Sequence, residues 1–79
     1  MNRSGKNGRS GASVDRFAIA QSMRAARLQA GLKQSELAEL MATSRTTITR
    51  MESGRDFPQI ATLERWAELT GKQLEIRLV

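Results

Sequence analysis

The chain of 79 residues is long enough for one small domain and carries a formal net charge of +5. It contains no cysteine and no histidine, which excludes disulfides and thiolate metal sites and argues against metal or triad catalysis. No apolar run approaches the ~20 residues of a membrane span. We therefore expect a soluble cytoplasmic protein that contacts no membrane, needs no metal or cofactor and is not an enzyme.

Residues 1–13 are rich in glycine, serine and asparagine and contain almost no apolar side chain. Arg3, Lys6 and Arg9 make this segment basic, because no acid accompanies them. Such a composition cannot offset the entropy lost on ordering, so we predict a disordered basic tail. A basic excess favours a polyanionic partner, which leaves open whether the tail is only flexible or acts as a binding arm.

A helical body is predicted for residues 14–71. Its first helix begins after Asp15, a residue type that caps helix N-termini, and ends at Gly31, a residue type typical just after a helix. Apolar side chains recur at helical spacing between these two ends: Phe17, Ile19, Ala20, Met23, Ala26 and Ala30. We expect this stripe to be buried, and Phe17 to belong to the core.

Two short helices come next, joined by a tight turn at residues 42–44. Either Lys33 or Ser35 begins the first of them, Ser44 caps the second, and Gly54 ends it. The apolar face of the first helix consists of Leu37, Ala38 and Met41, and that of the second consists of Ile48 and Met51. The opposite face of the second helix is formed by Arg45, Thr46, Thr49 and Arg50.

The dipeptide Phe57-Pro58 interrupts the helical pattern, and a fourth helix is predicted over residues 59–70. Gly71 ends it. Its inward side chains are expected to be Ile60, Leu63, Trp66, Ala67 and Leu69.

Residues 72–79 alternate apolar and polar side chains, as a half-buried β-strand does. A lone strand leaves its backbone groups unpaired, and the same strand of a second copy, antiparallel across a two-fold axis, would pair them. With the axis at Ile76, Glu75 of one copy faces Arg77 of the other. A frayed tail is the alternative. The predicted homodimer interface consists of Leu74, Glu75, Ile76, Arg77 and Leu78.

The two short helices have the arrangement that reading a DNA major groove requires, in which a second helix exposes short polar and arginine side chains near its N-terminal end. Two segments carry a resemblance to a known family: Gly31-Leu-Lys-Gln-Ser-Glu-Leu-Ala38 and Ser44-Arg-Thr-Thr-Ile-Thr-Arg-Met-Glu-Ser-Gly54. With Pro58 and Leu63 they resemble the helix-turn-helix domain of phage repressor, Cro and xenobiotic-response-element regulators. The chain departs from that pattern at Ala42, where glycine is usual, and at Lys33, where threonine is usual.

The resemblance implies an all-α, lambda-repressor-like fold of four or five helices with a short C-terminal β-strand that pairs across a dimer. Residues 71–79 further resemble small toxin–antitoxin regulators of the HigA and HipB kind. These likenesses imply a sequence-specific transcriptional repressor that binds a palindromic operator in double-stranded DNA, regulates its own operon and neutralises a toxin protein. Two alternatives stay open: a stand-alone phage-type repressor without a toxin, and a protein-interaction module that inhibits a partner without binding DNA.

Individual roles follow from the resemblance, position by position. The residues that match base-edge contacts are Arg45, Thr46 and Arg50. The residues assigned to the sugar-phosphate backbone are Gln34, Ser44, Thr47, Thr49 and Arg55. Gln34 has a second option, contact with a neighbouring recognition side chain, and an ordinary surface glutamine is its alternative. For the base-contacting set the alternative is an ordinary solvated helix face. Glu52 has the wrong charge for DNA, so we expect a structural role for it: accepting hydrogen bonds, or pairing with a nearby arginine such as Arg27 of the first helix.

Overall fold

Four α-helices connected by short loops make up residues 15–79, the part of the chain that this computed structural model describes. The helices are α1 (Arg16–Gln29), α2 (Gln34–Leu40), α3 (Arg45–Glu52) and α4 (Ile60–Leu69). This confirms the all-α prediction. The basic tail predicted for residues 1–13 lies outside the described residues. None of the helices in residues 15–79 is long and apolar enough to cross a membrane.

Local sequence accounts for most helix ends. Asp15 Oδ1 accepts hydrogen bonds of 3.1 Å from the backbone N–H groups of Phe17 and Ala18, which caps α1 as predicted. Ser44 Oγ caps α3 by accepting from Thr47 N at 3.1 Å. At Lys33 no side chain caps α2. Glu36 supplies one half of a capping box, because its Oε1 accepts from the backbone N–H of Lys33 at 2.7 Å.

The turn between α2 and α3 passes through Ala42, whose φ is +55°. This is the left-handed region, where a Cβ atom crowds the backbone and where glycine is the favoured residue. Ala42 is the sole non-glycine residue with positive φ among the described residues. The turn geometry that brings α3 against α2 is therefore formed at the cost of local strain.

The core lies where α1, α2, α3 and α4 meet. Leu37 of α2 and Ile48 of α3 are completely buried, and the other buried apolar side chains are Ala20, Met23, Ala38, Met51, Leu63 and Trp66. Trp66 also satisfies its indole N–H, because Nε1 donates a 2.9 Å hydrogen bond to the Met23 carbonyl across the α1–α4 contact. Burial of these side chains fixes α3 on its neighbours.

Three apolar side chains that the helical stripes place inside are exposed instead. Phe17 is 65% exposed and Ile60 is 53% exposed, so the prediction that both are buried is wrong, as it is for Ala30. Phe17 lies in the first turn of α1, at the edge of the bundle, where its ring covers Gly54. Ile60 is the first residue of α4 and lines an open groove between α1 and α4. Residues 15–79 supply no element that covers either position.

Residues 72–79 are exposed and form no strand in the described chain. The strand prediction is thus not supported here, because a β-strand needs a second strand for its backbone hydrogen bonds and residues 15–79 supply none. Residues 72–76 line the groove between α1 and α4, whereas Leu78 is fully exposed. The five residues predicted for a dimer interface all remain accessible: Leu74, Glu75, Ile76, Arg77 and Leu78.

Candidate nucleic-acid interface

The two faces of α3 differ as its sequence pattern predicts. Ile48 is fully buried and Met51 is 6% exposed, so this side of the helix belongs to the core. The opposite side presents hydroxyl and guanidinium groups to solvent, and its members are Arg45, Thr46, Thr49 and Arg50. Thr47 is half-buried at the boundary. A helix held by one face leaves the other face free for a partner.

Gln34, the first residue of α2, connects the second helix to α3. Its Oε1 lies 3.3 Å from Arg45 Nε and 3.3 Å from Thr49 Oγ1, both of which donate to it. Its Nε2 donates to Glu52 Oε1 at 3.2 Å. Because the amide nitrogen faces the carboxylate, the amide oxygen must face the two α3 side chains. Gln34 therefore contacts recognition side chains, one of the two options that its sequence position offered.

Glu52, the acceptor of the Gln34 amide, belongs to a buried ion pair with Arg27. Arg27 Nε donates to Glu52 Oε2 at 2.6 Å and Arg27 Nη2 donates to Glu52 Oε1 at 3.0 Å. Arg27 Nη1 donates to the Leu32 carbonyl at 2.8 Å, so each nitrogen of the guanidinium has a partner. The hydrogen bond to Glu52 raises the pKa of Arg27 above its ordinary value; desolvation opposes this shift and Coulomb attraction adds to it. The predicted pairing of Glu52 with Arg27 is confirmed.

Both the sequence and the fold of the chain are similar to those of known proteins. Residues 23–76 match a family model described as helix-turn-helix. The chain belongs to the helix-turn-helix family. The crystal structure of the clp gene regulator ClgR from C. glutamicum is similar in fold, with a TM-score of 0.72 and 23% sequence identity over 82% of this chain and 83% of that one. No curated protein sequence matches this chain.

Within the helix-turn-helix motif, α2 is the positioning helix and α3 is the recognition helix. Ser44 and Thr47 lie at the N-terminal end of the recognition helix, with their hydroxyl oxygens 3.0 Å apart. The single hydroxyl proton of Thr49 is shared between Gln34 Oε1 and the Arg45 carbonyl, which lies 3.0 Å from Thr49 Oγ1. Arg55 follows the helix and is exposed. These groups lie around the exposed face of α3, where donors to a sugar-phosphate backbone would have to lie.

One charged neighbour of the recognition helix was not predicted from the sequence. Asp56 Oδ2 lies 2.9 Å from Arg50 Nε, and the two side chains are 46% and 51% exposed. The two residues are six positions apart, which is not a helical spacing, so the pattern of α3 gives no indication of the pair. The one local signal was Gly54 between them, a residue type that lets the chain reverse direction after a helix.

The arrangement suits hydrogen-bond donation to a polyanion. Arg45, Arg50 and Arg55 are exposed on or beside α3, and Asp56 pairs with the second of them. Among residues 15–79, no group of acidic side chains is placed to hold a metal ion. The chemical groups of this face are guanidinium, hydroxyl and amide groups, the types that donate to phosphates and base edges in protein–DNA complexes.

Proposed function

We propose that this protein binds double-stranded DNA sequence-specifically through α3 and regulates transcription. The observation that carries the proposal is the exposed face of α3, whose two arginines project from a helix locked in place by Ile48 and by the Gln34 hydrogen bonds. Membership of the helix-turn-helix family supports a DNA-binding regulator, and so does the similar fold of ClgR, a gene regulator. A helix of this kind enters the major groove with its N-terminal residues at the base edges.

The proposed contacts divide into two groups. Residues on the outer face of α3 would read base edges, because arginine donates two hydrogen bonds to guanine and a threonine methyl packs on thymine. These are Arg45, Thr46 and Arg50. A second set of residues, on α2, at the N-cap of α3, within α3 and just after α3, would bind phosphates and fix the register of the protein on DNA. These are Gln34, Ser44, Thr47, Thr49 and Arg55.

We further propose a homodimeric repressor on a palindromic operator. One recognition helix offers few base contacts, whereas a two-fold dimer places two such helices about 34 Å apart, in successive major grooves. The exposed segment 72–79 supports this proposal, because its alternating side chains would pair with a second copy in an antiparallel ribbon. Two exposed leucines and one exposed isoleucine would then be covered: Leu74, Leu78 and Ile76.

The antitoxin role rests on the likeness of residues 71–79 to small toxin–antitoxin regulators. Under this proposal the protein represses its own operon and also binds and neutralises a toxin protein. The apolar groove between α1 and α4 supports this role as a surface for a protein partner. Co-expression with the product of an adjacent small reading frame tests the role: relief of growth inhibition supports the antitoxin, and no effect favours a stand-alone repressor.

Selection from a randomised duplex library tests DNA binding directly. We expect the protein to enrich a palindromic sequence and to bind it in gel-shift titrations with an affinity that falls as salt increases, because bound phosphates release counterions. The rival function, a protein-interaction module without DNA binding, predicts that no sequence is enriched. Binding that is equally tight on every duplex would show a sequence-independent DNA-binding protein instead.

A further inference from the structure

Asp56 binds the side of the Arg50 guanidinium, and no other side chain of residues 15–79 is hydrogen-bonded to the end of this group. Asp56 Oδ2 lies 2.9 Å from Arg50 Nε, and Oδ1 accepts from Arg50 Nη2 at a longer 3.4 Å. The carboxylate therefore faces the Nε–Nη2 edge. The other edge, formed by Nη1 and the second N–H of Nη2, keeps two roughly parallel donors.

The backbone holds this carboxylate in place. Asp56 N and Arg55 N both donate to the Arg50 carbonyl, at 3.2 Å and 3.0 Å. The chain can fold back in this way because Gly54 adopts a φ of +81°, a conformation that side chains with a Cβ rarely take. Gly54 is buried under Phe17, whose Cδ1 would be 2.9 Å from an added Cβ. Asp56 thus contacts Arg50 twice: its backbone N–H donates to the Arg50 carbonyl, and its carboxylate binds the Arg50 guanidinium.

Stability does not explain the pair. Both side chains are about half exposed, and ion pairs at such positions contribute little to folding. An acid beside a recognition helix also repels phosphates, which weakens DNA binding in general. What the contact does supply is order, because a free arginine side chain samples many rotamers and a guanidinium held along one edge samples few.

We propose that Asp56 is a positioning residue that orients Arg50 so that its free edge donates to the O6 and N7 atoms of one guanine in each half-site. This inference rests on the proposed DNA binding. Guanine is the base that accepts two such parallel donors in the major groove. Asp56 itself touches no base. Its acidic charge raises the energy of complexes with every sequence alike, while the ordering of Arg50 favours only sequences with guanine at that position.

The test begins with the duplex that the parent protein selects from a randomised library. Each G·C base pair of this duplex is replaced in turn, and the affinities of the parent protein and of Arg50→Ala are measured. The base pair read by Arg50 is the one whose replacement lowers the affinity of the parent protein but not that of Arg50→Ala. At that pair, Asp56→Ala should lower the preference for guanine by about tenfold. In the Arg50→Ala background, the same substitution should leave base preference unchanged, since nothing remains to be oriented.

Glu68→Ala is the matched control. Glu68 also forms an exposed pair with an arginine, Arg65 on α4 at 2.8 Å, so its removal deletes the same charge away from α3. Both variants should keep the parent melting temperature and bind non-cognate duplexes slightly more tightly. An unchanged guanine preference in Asp56→Ala, or an equal loss with and without Arg50, would overturn the inference while leaving DNA binding intact. If the parent protein selects no sequence, the proposed function fails and the inference fails with it.

Discussion

Arg27 of α1 and Glu52 of α3 form a bidentate ion pair in the interior, with side chains 7% and 3% exposed. The pair does more than join two helices. Glu52 Oε1 also accepts from Gln34, and Gln34 in turn accepts from Arg45 on the outer face of α3. A continuous series of hydrogen bonds therefore runs from the core to the surface proposed to read DNA.

Removal of Glu52 should destabilise the protein strongly. In Glu52→Ala the buried guanidinium of Arg27 loses its counter-charge, which typically costs about 3–5 kcal/mol of unfolding free energy. Denaturant unfolding followed by circular dichroism measures the loss. Glu68→Ala, which removes an exposed acid, should change stability by less than about 0.5 kcal/mol. A comparably small loss for Glu52→Ala would mean that water or another group compensates Arg27.

The two arginines of α3 should matter for specificity. Arg45→Ala and Arg50→Ala are each expected to lower affinity for the selected DNA site by about 1–3 kcal/mol, because each removes donors to a base edge. Affinity for scrambled DNA should fall much less. Gel-shift titrations on both duplexes measure the difference. Equal losses on cognate and scrambled DNA would show that these side chains touch only phosphates.

Truncation of Ile48 should disturb the motif itself. Ile48 is fully buried between α3 and its neighbours, so Ile48→Ala leaves a cavity and should cost about 2–5 kcal/mol. A domain of this size has little stability to lose, and thermal melting should show a large drop or complete unfolding. Thr46→Ala on the exposed face is the control and should melt close to the parent. A parental melting temperature for Ile48→Ala would contradict the burial of this face.

Ala42 offers a stabilising change. Because its φ is +55°, Ala42→Gly should relieve strain and raise the unfolding free energy by up to about 1 kcal/mol. Gly31→Ala is the converse control: its φ is +73° and an added Cβ would meet nothing within 4 Å, so backbone strain alone should destabilise that variant. Chemical denaturation of both variants measures the two effects. Destabilisation by Ala42→Gly would show that unfolded-state entropy outweighs the strain.

Residues 72–79 should decide the oligomeric state. Their removal is expected to leave a folded monomer that binds a palindromic site weakly and without cooperativity, since none of the buried core residues lies in this segment. Analytical ultracentrifugation measures the assembly. Glu75→Arg and Arg77→Glu should each weaken the dimer modestly, and the double exchange should restore it, because opposite charges face each other again. An undiminished dimer after truncation would move the interface to the helices, near the exposed Phe17.

The sequence by itself determined the helices, their ends and the inner face of α3. These features depend on neighbours in the chain: Asp15 and Ser44 accept from N–H groups two or three residues ahead, and Gly31 and Gly54 supply positive φ where helices stop. Helical spacing was likewise sufficient for Ile48 and Met51. The ion pair between Arg27 and Glu52 was also predicted, because an acidic side chain on a helix that binds DNA is repelled by phosphates and is more favourably placed beside an arginine.

The tertiary structure alone decided what depends on neighbours distant in the chain. An apolar stripe indicates which face of a helix is hydrophobic, but not over what length another element covers that face. Phe17 and Ile60 lie in such stripes and are nevertheless exposed. The direction of the Gln34 amide and the contact between Asp56 and Arg50 depend on how the helices and loops are placed in space. The spacing of apolar residues in the sequence does not indicate this placement. Strand formation by residues 72–79 requires a second strand as a hydrogen-bonding partner. One copy of residues 15–79 does not supply it.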